Sequence, residues 1–271
     1  MTHLSAFTHP LHLLGCGNMA GAMLKGWLDA GLDPAQVTVI RPSGAPVADG
    51  VRVLTAPPEG EVAGILLLGM KPQKLAEAAP AAAAMTGPGT TIVSILAGVE
   101  LATLRARFPA ARTILRAMPN MPVALRLGVT NLIAEAGAGD EAVEALMAAL
   151  GHAEWFNDES LFALAGHLTG AAPAFLYRFL DALAAAGVEL GLDPARAARL
   201  AAAMARGAAT LAATSDEAPA ELARRVASPG GTTEAGLKVL DSDEALKRLM
   251  LDTLDASRRR GIEMSEAARR P

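Results

Sequence analysis

Leu11-His12-Leu13-Leu14-Gly15-Cys16-Gly17-Asn18-Met19-Ala20 is the stretch on which the reading of this 271-residue chain turns. A short apolar strand runs into two glycines, and a helical stretch from Met19 to about Ala30 follows, with Gly31 placed to end it. Gly15 permits the tight turn, Gly17 lets a pyrophosphate approach the backbone, and Ala20 lets helix and strand pack closely. The start of the helix offers N–H groups and partial positive charge to phosphates. The segment Gly15, Cys16, Gly17, Asn18, Met19 and Ala20 therefore reads as a dinucleotide loop, against the plainer alternative of a structural glycine turn.

The segments around it fit that reading. Short β-type runs at Leu11–Leu14, Val37–Ile40, Ile65–Leu68, Thr91–Leu96, Thr113–Met118, Val129–Ala134 and Ala153–Phe156 alternate with helical stretches at 73–85, 100–107 and 140–150. Alternation of this kind predicts a doubly wound parallel sheet, its central strands apolar on both faces. After about Asn157 the strand-like runs stop. Helices are expected at 158–168, 173–190, 194–214, 219–226, 232–240 and 243–268. Gly191-Leu192-Asp193-Pro194 reads as a stop and restart, with Asp193 as cap and Pro194 in the first turn. The expected organisation is α/β: a Rossmann-type dinucleotide-binding domain over 1–156, then an all-helical dimerisation and substrate domain over 157–271. The wide apolar stripes of these helices point to burial by another subunit.

Composition narrows the function classes. Hydrophobic residues make up 52% of the chain and aromatics 3%, and mean hydropathy is +0.31. Alanine dominates, and the apolar tracts are broken before the roughly 20 residues a membrane span needs. Residues 1–10 hold two histidines and no basic segment leading into an apolar one, so no signal peptide is read and a cytoplasmic enzyme is expected. A net charge of −4 with scattered arginines gives no support for a nucleic-acid partner. The single cysteine, Cys16, excludes an intrachain disulfide and cysteine-cluster metal sites; no metal is expected, and Cys16 reads as a small filler beneath a cofactor.

Strand two ends in Ile40-Arg41-Pro42-Ser43-Gly44 rather than in a carboxylate. Arg41 offers charge and Ser43 a hydroxyl where a 2′-phosphate sits, which favours NADPH over NADH; the competing reading is a solvated arginine in a turn. Three further segments follow strands at the carboxyl edge, where α/β ligands bind. They are Gly69-Met70-Lys71-Pro72-Gln73, Ser94-Ile95-Leu96-Ala97-Gly98-Val99 and Arg116-Ala117-Met118-Pro119-Asn120-Met121-Pro122. Lys71, flanked by Met70 and Pro72, can reach a phosphate or ribose. Ala97 and Gly98 leave room for a nicotinamide ring, and the two prolines hold Asn120 stiffly near it. Each segment alone also reads as an ordinary βα turn. Far along the chain, Ser228-Pro229-Gly230-Gly231-Thr232-Thr233 is a hydroxyl-bearing glycine turn opening a helix. It can offer N–H groups and a proton donor to a small anionic substrate, or it can simply cap the helix.

Taken together, Gly15–Ala20, Lys71-Pro72-Gln73, Ser94 with Ala97-Gly98-Val99, Met118-Pro119-Asn120-x-Pro122 and Val226–Thr233 occur in an order that resembles the pyrroline-5-carboxylate reductases, over nearly the whole chain. The resemblance implies reduction of 1-pyrroline-5-carboxylate to L-proline by NADPH, in a homodimer whose site is completed across the interface, with further association of dimers left open. It implies that Gly15–Ala20, Met70-Lys71-Pro72, Ala97 and Asn120 line the cofactor. It also implies that Ser228, Gly230, Gly231, Thr232 and Thr233 hold the substrate carboxylate, and that Thr233 bonds the ring nitrogen as the catalytic hydroxyl.

Two departures stand out. The family usually has a Ser-Gly-rich segment before Pro-Ala, where this chain has Thr169-Gly170-Ala171-Ala172-Pro173-Ala174-Phe175. Ala56 stands where a polar residue near the ribose is usual. Rival readings are a reductase for a different cyclic imine and a non-catalytic NADP-binding regulator. A hydroxyacid dehydrogenase is disfavoured, because no lysine lies between Lys74 and Lys238; His167 is the residue that could serve as base in its place.

Overall fold

The computed structural model describes residues 2–135 and 139–269. The chain divides into two compact units, Met1–Gly170 with Arg258–Pro271, and Ala171–Ser257.

The first unit is built on one eight-stranded sheet of order β3-β2-β1-β4-β5-β6-β7-β8. Its strands are β1 (Leu11–Leu14), β2 (Val37–Ile40), β3 (Arg52–Leu54), β4 (Gly64–Leu68), β5 (Thr90–Ser94), β6 (Thr113–Pro119), β7 (Gly128–Ala134) and β8 (Gly151–Phe156). All neighbours are parallel except β6 and β7, which run antiparallel with Arg116 opposite Ile133. The helices of this unit include α1 (Asn18–Asp29), α2 (Leu75–Ala84), α3 (Leu101–Arg107), α4 (Glu141–Ala148) and α5 (Glu159–Gly166).

Alternation along the strands explains the double winding, since successive side chains leave opposite faces. Leu11, Leu13, Val37, Val39, Ile65, Leu67, Val93 and Leu115 meet Met23, Leu24 and Trp27 of α1 and Leu146 and Met147 of α4. The other face sends Leu14, Leu66, Leu68, Ile92 and Ile114 against Leu75 and Ala79 of α2 and Leu104 of α3. Trp27 is fully buried, and its indole N–H donates to the Leu146 carbonyl at 2.8 Å, so its one polar atom is satisfied.

Helix α1 approaches its neighbours closely at Gly26. A Cβ there would fall 2.4 Å from the Val123 carbonyl oxygen and 2.6 Å from Leu150 Cδ2. In an exposed helix, Gly→Ala gains about 1 kcal/mol. Here Gly26→Ala is expected to destabilise the protein by about 2 kcal/mol through overpacking, read as a lowered urea midpoint at unchanged slope.

The second unit is helical: α6 (Ala172–Glu189), α7 (Pro194–Thr214), α8 (Pro219–Val226), α9 (Thr232–Asp241) and most of α10 (Ala245–Arg269). The turn between α6 and α7 forms as its residues imply. Gly191 takes φ +106°, and Asp193 Oδ1 accepts from Arg196 N at 2.9 Å. Leu176, Tyr177, Phe179, Leu183, Leu200 and Met204 are exposed along α6 and α7, while Ala197 and Ala201 are buried.

Sequence and structure differ at four places. The sheet expected to be parallel holds one antiparallel pair, β6 with β7. β3 was not foreseen. The helices expected at 158–168 and 173–190 are one run from Glu159 to Glu189, joined through a π-helical turn at His167–Ala171. Pro173 falls in the first turn after that wider segment, where a missing N–H is tolerated. By length and composition this 31-residue run is apolar enough to cross a membrane, contrary to the expectation that such tracts are interrupted.

Candidate active site

The carboxyl ends of β1, β2 and β4 converge on one cleft of about 680 Å³. Backbone bonds extend the ladder to its rim: Gly15 N donates to Ile40 O, Gly69 N to Leu14 O, and Arg41 N to Leu54 O, at 2.8–2.9 Å. Gly15 holds φ +88°, and a Cβ on it would lie 2.9 Å from Met70 N. Only glycine combines that conformation with that approach. Gly69 is equally confined, since a Cβ there would lie 2.7 Å from Gly15 O and 2.9 Å from Ala20 Cβ. Buried Ala20 therefore sets how tightly α1 docks onto the sheet.

Gly17 is different. It caps α1 without any side-chain cap bond, and a Cβ on it would meet nothing within 4 Å. Open space in front of an uncapped helix N-terminus is the cradle a pyrophosphate needs. The cleft is lined by Gly15, Cys16, Gly17, Asn18, Met19, Arg41, Pro42, Ser43, Gly69, Met70, Lys71, Pro72 and Ile95. Its charged members are Arg41 and Lys71, with no carboxylate among them. A dinucleotide carrying a 2′-phosphate fits this set. Burial pushes the Cys16 thiol above its ordinary range, and the Arg41 charge offsets that only in part. Cys16 thus stays protonated at neutral pH and serves as packing.

Ten of the expected cofactor residues thus share one cleft, with Ala20 packed behind it. Ala97 and Gly98 are placed differently: they form the exposed to half-buried turn after β5, with Gly98 at φ +75°, and Ile95 is the residue of that segment that lines the cleft. Asn120 is buried and its amide is committed at both ends. Nδ2 donates to the Thr169 carbonyl at 3.0 Å, and Oδ1 accepts from Val129 N at 2.9 Å. Thr169 lies in the π-turn, and Pro173, lacking an N–H, cannot serve its carbonyl as a residue four positions on normally does. Asn131 Nδ2 completes the arrangement with a 3.0 Å bond to Thr169 Oγ1, which donates to Ala165 O. The sequence reading holds Asn120 stiffly near a nicotinamide ring; in the structure its side chain ties the end of β6 to the π-turn. Asn131 and Thr169 went unassigned in the sequence, because partners so distant along the chain leave no local signal.

His167 opens that π-turn. Burial, with Arg258 adding to it, holds its imidazole below the ordinary range. The ring packs where Gly261 of α10 has no side chain, since a Cβ there would lie 2.5 Å from His167 Cε1.

In the second unit, Ser228, Gly230, Gly231, Thr232 and Thr233 form a compact turn at the start of α9. Gly230 takes φ +70°, Gly231 N donates to Ser228 O at 2.9 Å, and Gly231 caps the helix with no side-chain cap bond. Thr232 and Thr233 are exposed in its first turn. The preceding α8 is anchored by Arg225, whose Nη1 donates to Glu217 Oε1 at 2.6 Å. Sequence reading missed Glu234, which stands three residues after the capping Gly231; its Oε2 accepts from Gly230 N at 2.8 Å.

A family profile described as "Pyrroline-5-carboxylate reductase dimerisation" matches residues 159–264, and one described as "NADP oxidoreductase coenzyme F420-dependent" matches residues 10–98. The pyrroline-5-carboxylate reductase of Pseudomonas aeruginosa is 34% identical over 268 residues, covering 96% of this chain and 98% of the relative. That of Escherichia coli is 31% identical over 238 residues, covering 84% and 88%. A solved pyrroline-5-carboxylate reductase from Coxiella burnetii superposes with a TM-score of 0.85 at 28% identity, over 94% of this chain and 98% of that one. With a nucleotide cleft, a glycine–threonine turn and end-to-end relatives of this kind, the chain belongs to the pyrroline-5-carboxylate reductase family.

Proposed function

We propose that the protein reduces 1-pyrroline-5-carboxylate to L-proline with NADPH, as a homodimer. The end-to-end match to named reductases carries the reading, and the chemistry of the two segments supports it. Bound NADPH supplies the hydride. The first-turn N–H groups of α1, beside open Gly17, hold the pyrophosphate, while Arg41 and Ser43 receive the 2′-phosphate and Lys71 a phosphate or ribose oxygen. The Gly230–Thr233 turn holds the substrate carboxylate through N–H groups, and the Thr233 hydroxyl orients the ring nitrogen. A protonated C=N carbon is already electrophilic, so the site has to supply geometry more than a strong acid or base. That agrees with a cleft in which Cys16 is held protonated and a π-turn in which His167 is engaged in packing.

The exposed apolar residues of α6 and α7 lie within the segment matched to the dimerisation profile. We assign them to a second copy of this chain rather than to lipid. Residues 1–156 then act as the nucleotide-binding part and residues 157–271 as the dimerisation and substrate part.

The test is NADPH oxidation followed by absorbance with 1-pyrroline-5-carboxylate added. Turnover to proline is expected. Turnover only with a larger cyclic imine would replace the substrate, and NADPH binding without turnover on any imine would replace the enzyme by a regulator.

A further inference from the structure

The N–H of Gly230 already holds a carboxylate, and it is the chain's own. Glu234 occupies the third position of the ten-residue helix α9 and reaches back so that Oε2 lies 2.8 Å from Gly230 N. Its other oxygen, Oε1, lies 3.4 Å from Lys238 Nζ. The Glu234 side chain is half-buried and Lys238 exposed, so the carboxylate bridges the turn and the lysine, and on leaving the turn it keeps a cation beside it. Helix α9 has no other side-chain cap, and its opening N–H groups lack intrahelical partners. Glu234 therefore presents to this turn the same functional group that a cyclic imino acid would bring.

We propose that Glu234 is a specificity-determining residue: an internal carboxylate that occupies the Gly230 donor until a substrate carboxylate displaces it toward Lys238. This rests on reading the Ser228–Thr233 turn as the substrate's carboxylate clasp. A ligand with a carboxylate makes the same charge-assisted bond and replaces Glu234 one for one. A ring without a carboxylate has nothing to offer Gly230 and leaves Glu234 in place. Self-occupancy weakens every competing carboxylate by the fraction of molecules in which the turn is open; an open fraction of about one-fifth weakens it about fivefold. Lys238 favours the displaced state because its 3.4 Å pair with Glu234 is loose while Gly230 holds the carboxylate and can shorten once it lets go.

The experiment measures inhibition of the full-length, NADPH-saturated enzyme by L-proline and by pyrrolidine, the same ring without a carboxylate. The variants are Glu234→Gln, Lys238→Met, the double variant and Thr233→Ala. Glu234→Gln is expected to tighten L-proline about fivefold and to leave pyrrolidine unchanged. Lys238→Met is expected to weaken L-proline in the native background and to have no effect in the Glu234→Gln background, since the lysine acts through the glutamate. A Glu234→Gln variant that binds L-proline more weakly or no differently overturns the proposal, because a glutamate that only caps the helix would stabilise the turn for its ligand. Should Glu234→Gln fold poorly, Lys238→Met still decides: an unchanged L-proline constant overturns the proposal. Thr233→Ala separates the two layers. If it leaves L-proline inhibition untouched, the turn is not the substrate site. If it weakens inhibition while Glu234→Gln brings no tightening, the site stands and the role of Glu234 alone is lost.

Discussion

Thr233→Ala is expected to lower kcat about a hundredfold while the dissociation constant for NADPH stays within about twofold of the native value. Thr233 is the second residue of α9, exposed, two positions after the capping Gly231. In the proposed site its hydroxyl holds the ring nitrogen while the carbon receives hydride, and an alanine leaves the ring free to rotate out of line. Small misplacements of this kind have large effects on rate, because the reacting atoms must lie within a narrow range of distance and angle. In the proposed site Thr233 meets the substrate and the Gly17 loop meets the nucleotide, so fluorescence titration of NADPH should register little change. A variant whose main defect is weak NADPH binding would place Thr233 at the nucleotide and remove it from the substrate.

Arg41→Asp should move the ratio of kcat/KM for NADPH over NADH about a hundredfold toward NADH. The backbone of Arg41 is pinned, its N–H donating to Leu54 O at 2.8 Å, so the substitution changes charge at a fixed place on the rim. It removes a partner for the 2′-phosphate and installs a carboxylate of the type that binds a ribose 2′-hydroxyl. An unchanged ratio would show that Arg41 faces solvent and does not meet the phosphate. The same exchange carries an internal check. Arg41 is the charge that offsets burial at Cys16, so the thiol of the variant should react more slowly with an alkylating reagent.

Where local chemistry determines an element, the sequence reading and the structure agree. Leu11–Leu14 and Val37–Ile40 have the expected bounds, because short, largely apolar runs next to glycine or proline turns admit little else. Asp193-Pro194 starts α7 for the same kind of reason. β3 escaped notice because Arg52-Val53-Leu54 is only three residues long, lies at the sheet edge and shows no sustained alternation. Pro173 was read as the start of a separate helix, a sound local inference that a π-turn overrode. The site divides in the same way. Gly15, Gly17, Arg41 and Lys71 announce themselves through backbone conformation and charge next to strand ends. Asn120 does not, because its destination, the Thr169 carbonyl, is 49 residues away. Glu234 could have been found, since a glutamate three residues after a helix cap is a familiar capping signal.

The scarcity of aromatic side chains has an optical consequence. Both tryptophans, Trp27 in its closed pocket beside Leu146 and Trp155 on β8, belong to the first unit, while the chain's one tyrosine, Tyr177, projects from α6 in the second. Indole emission therefore reports on the sheet alone, and the phenol on the helices alone, without any label. Melting curves recorded through the two chromophores reveal directly whether the units unfold together or in succession. Dilution of the assembled protein should perturb the phenol signal and spare the indole.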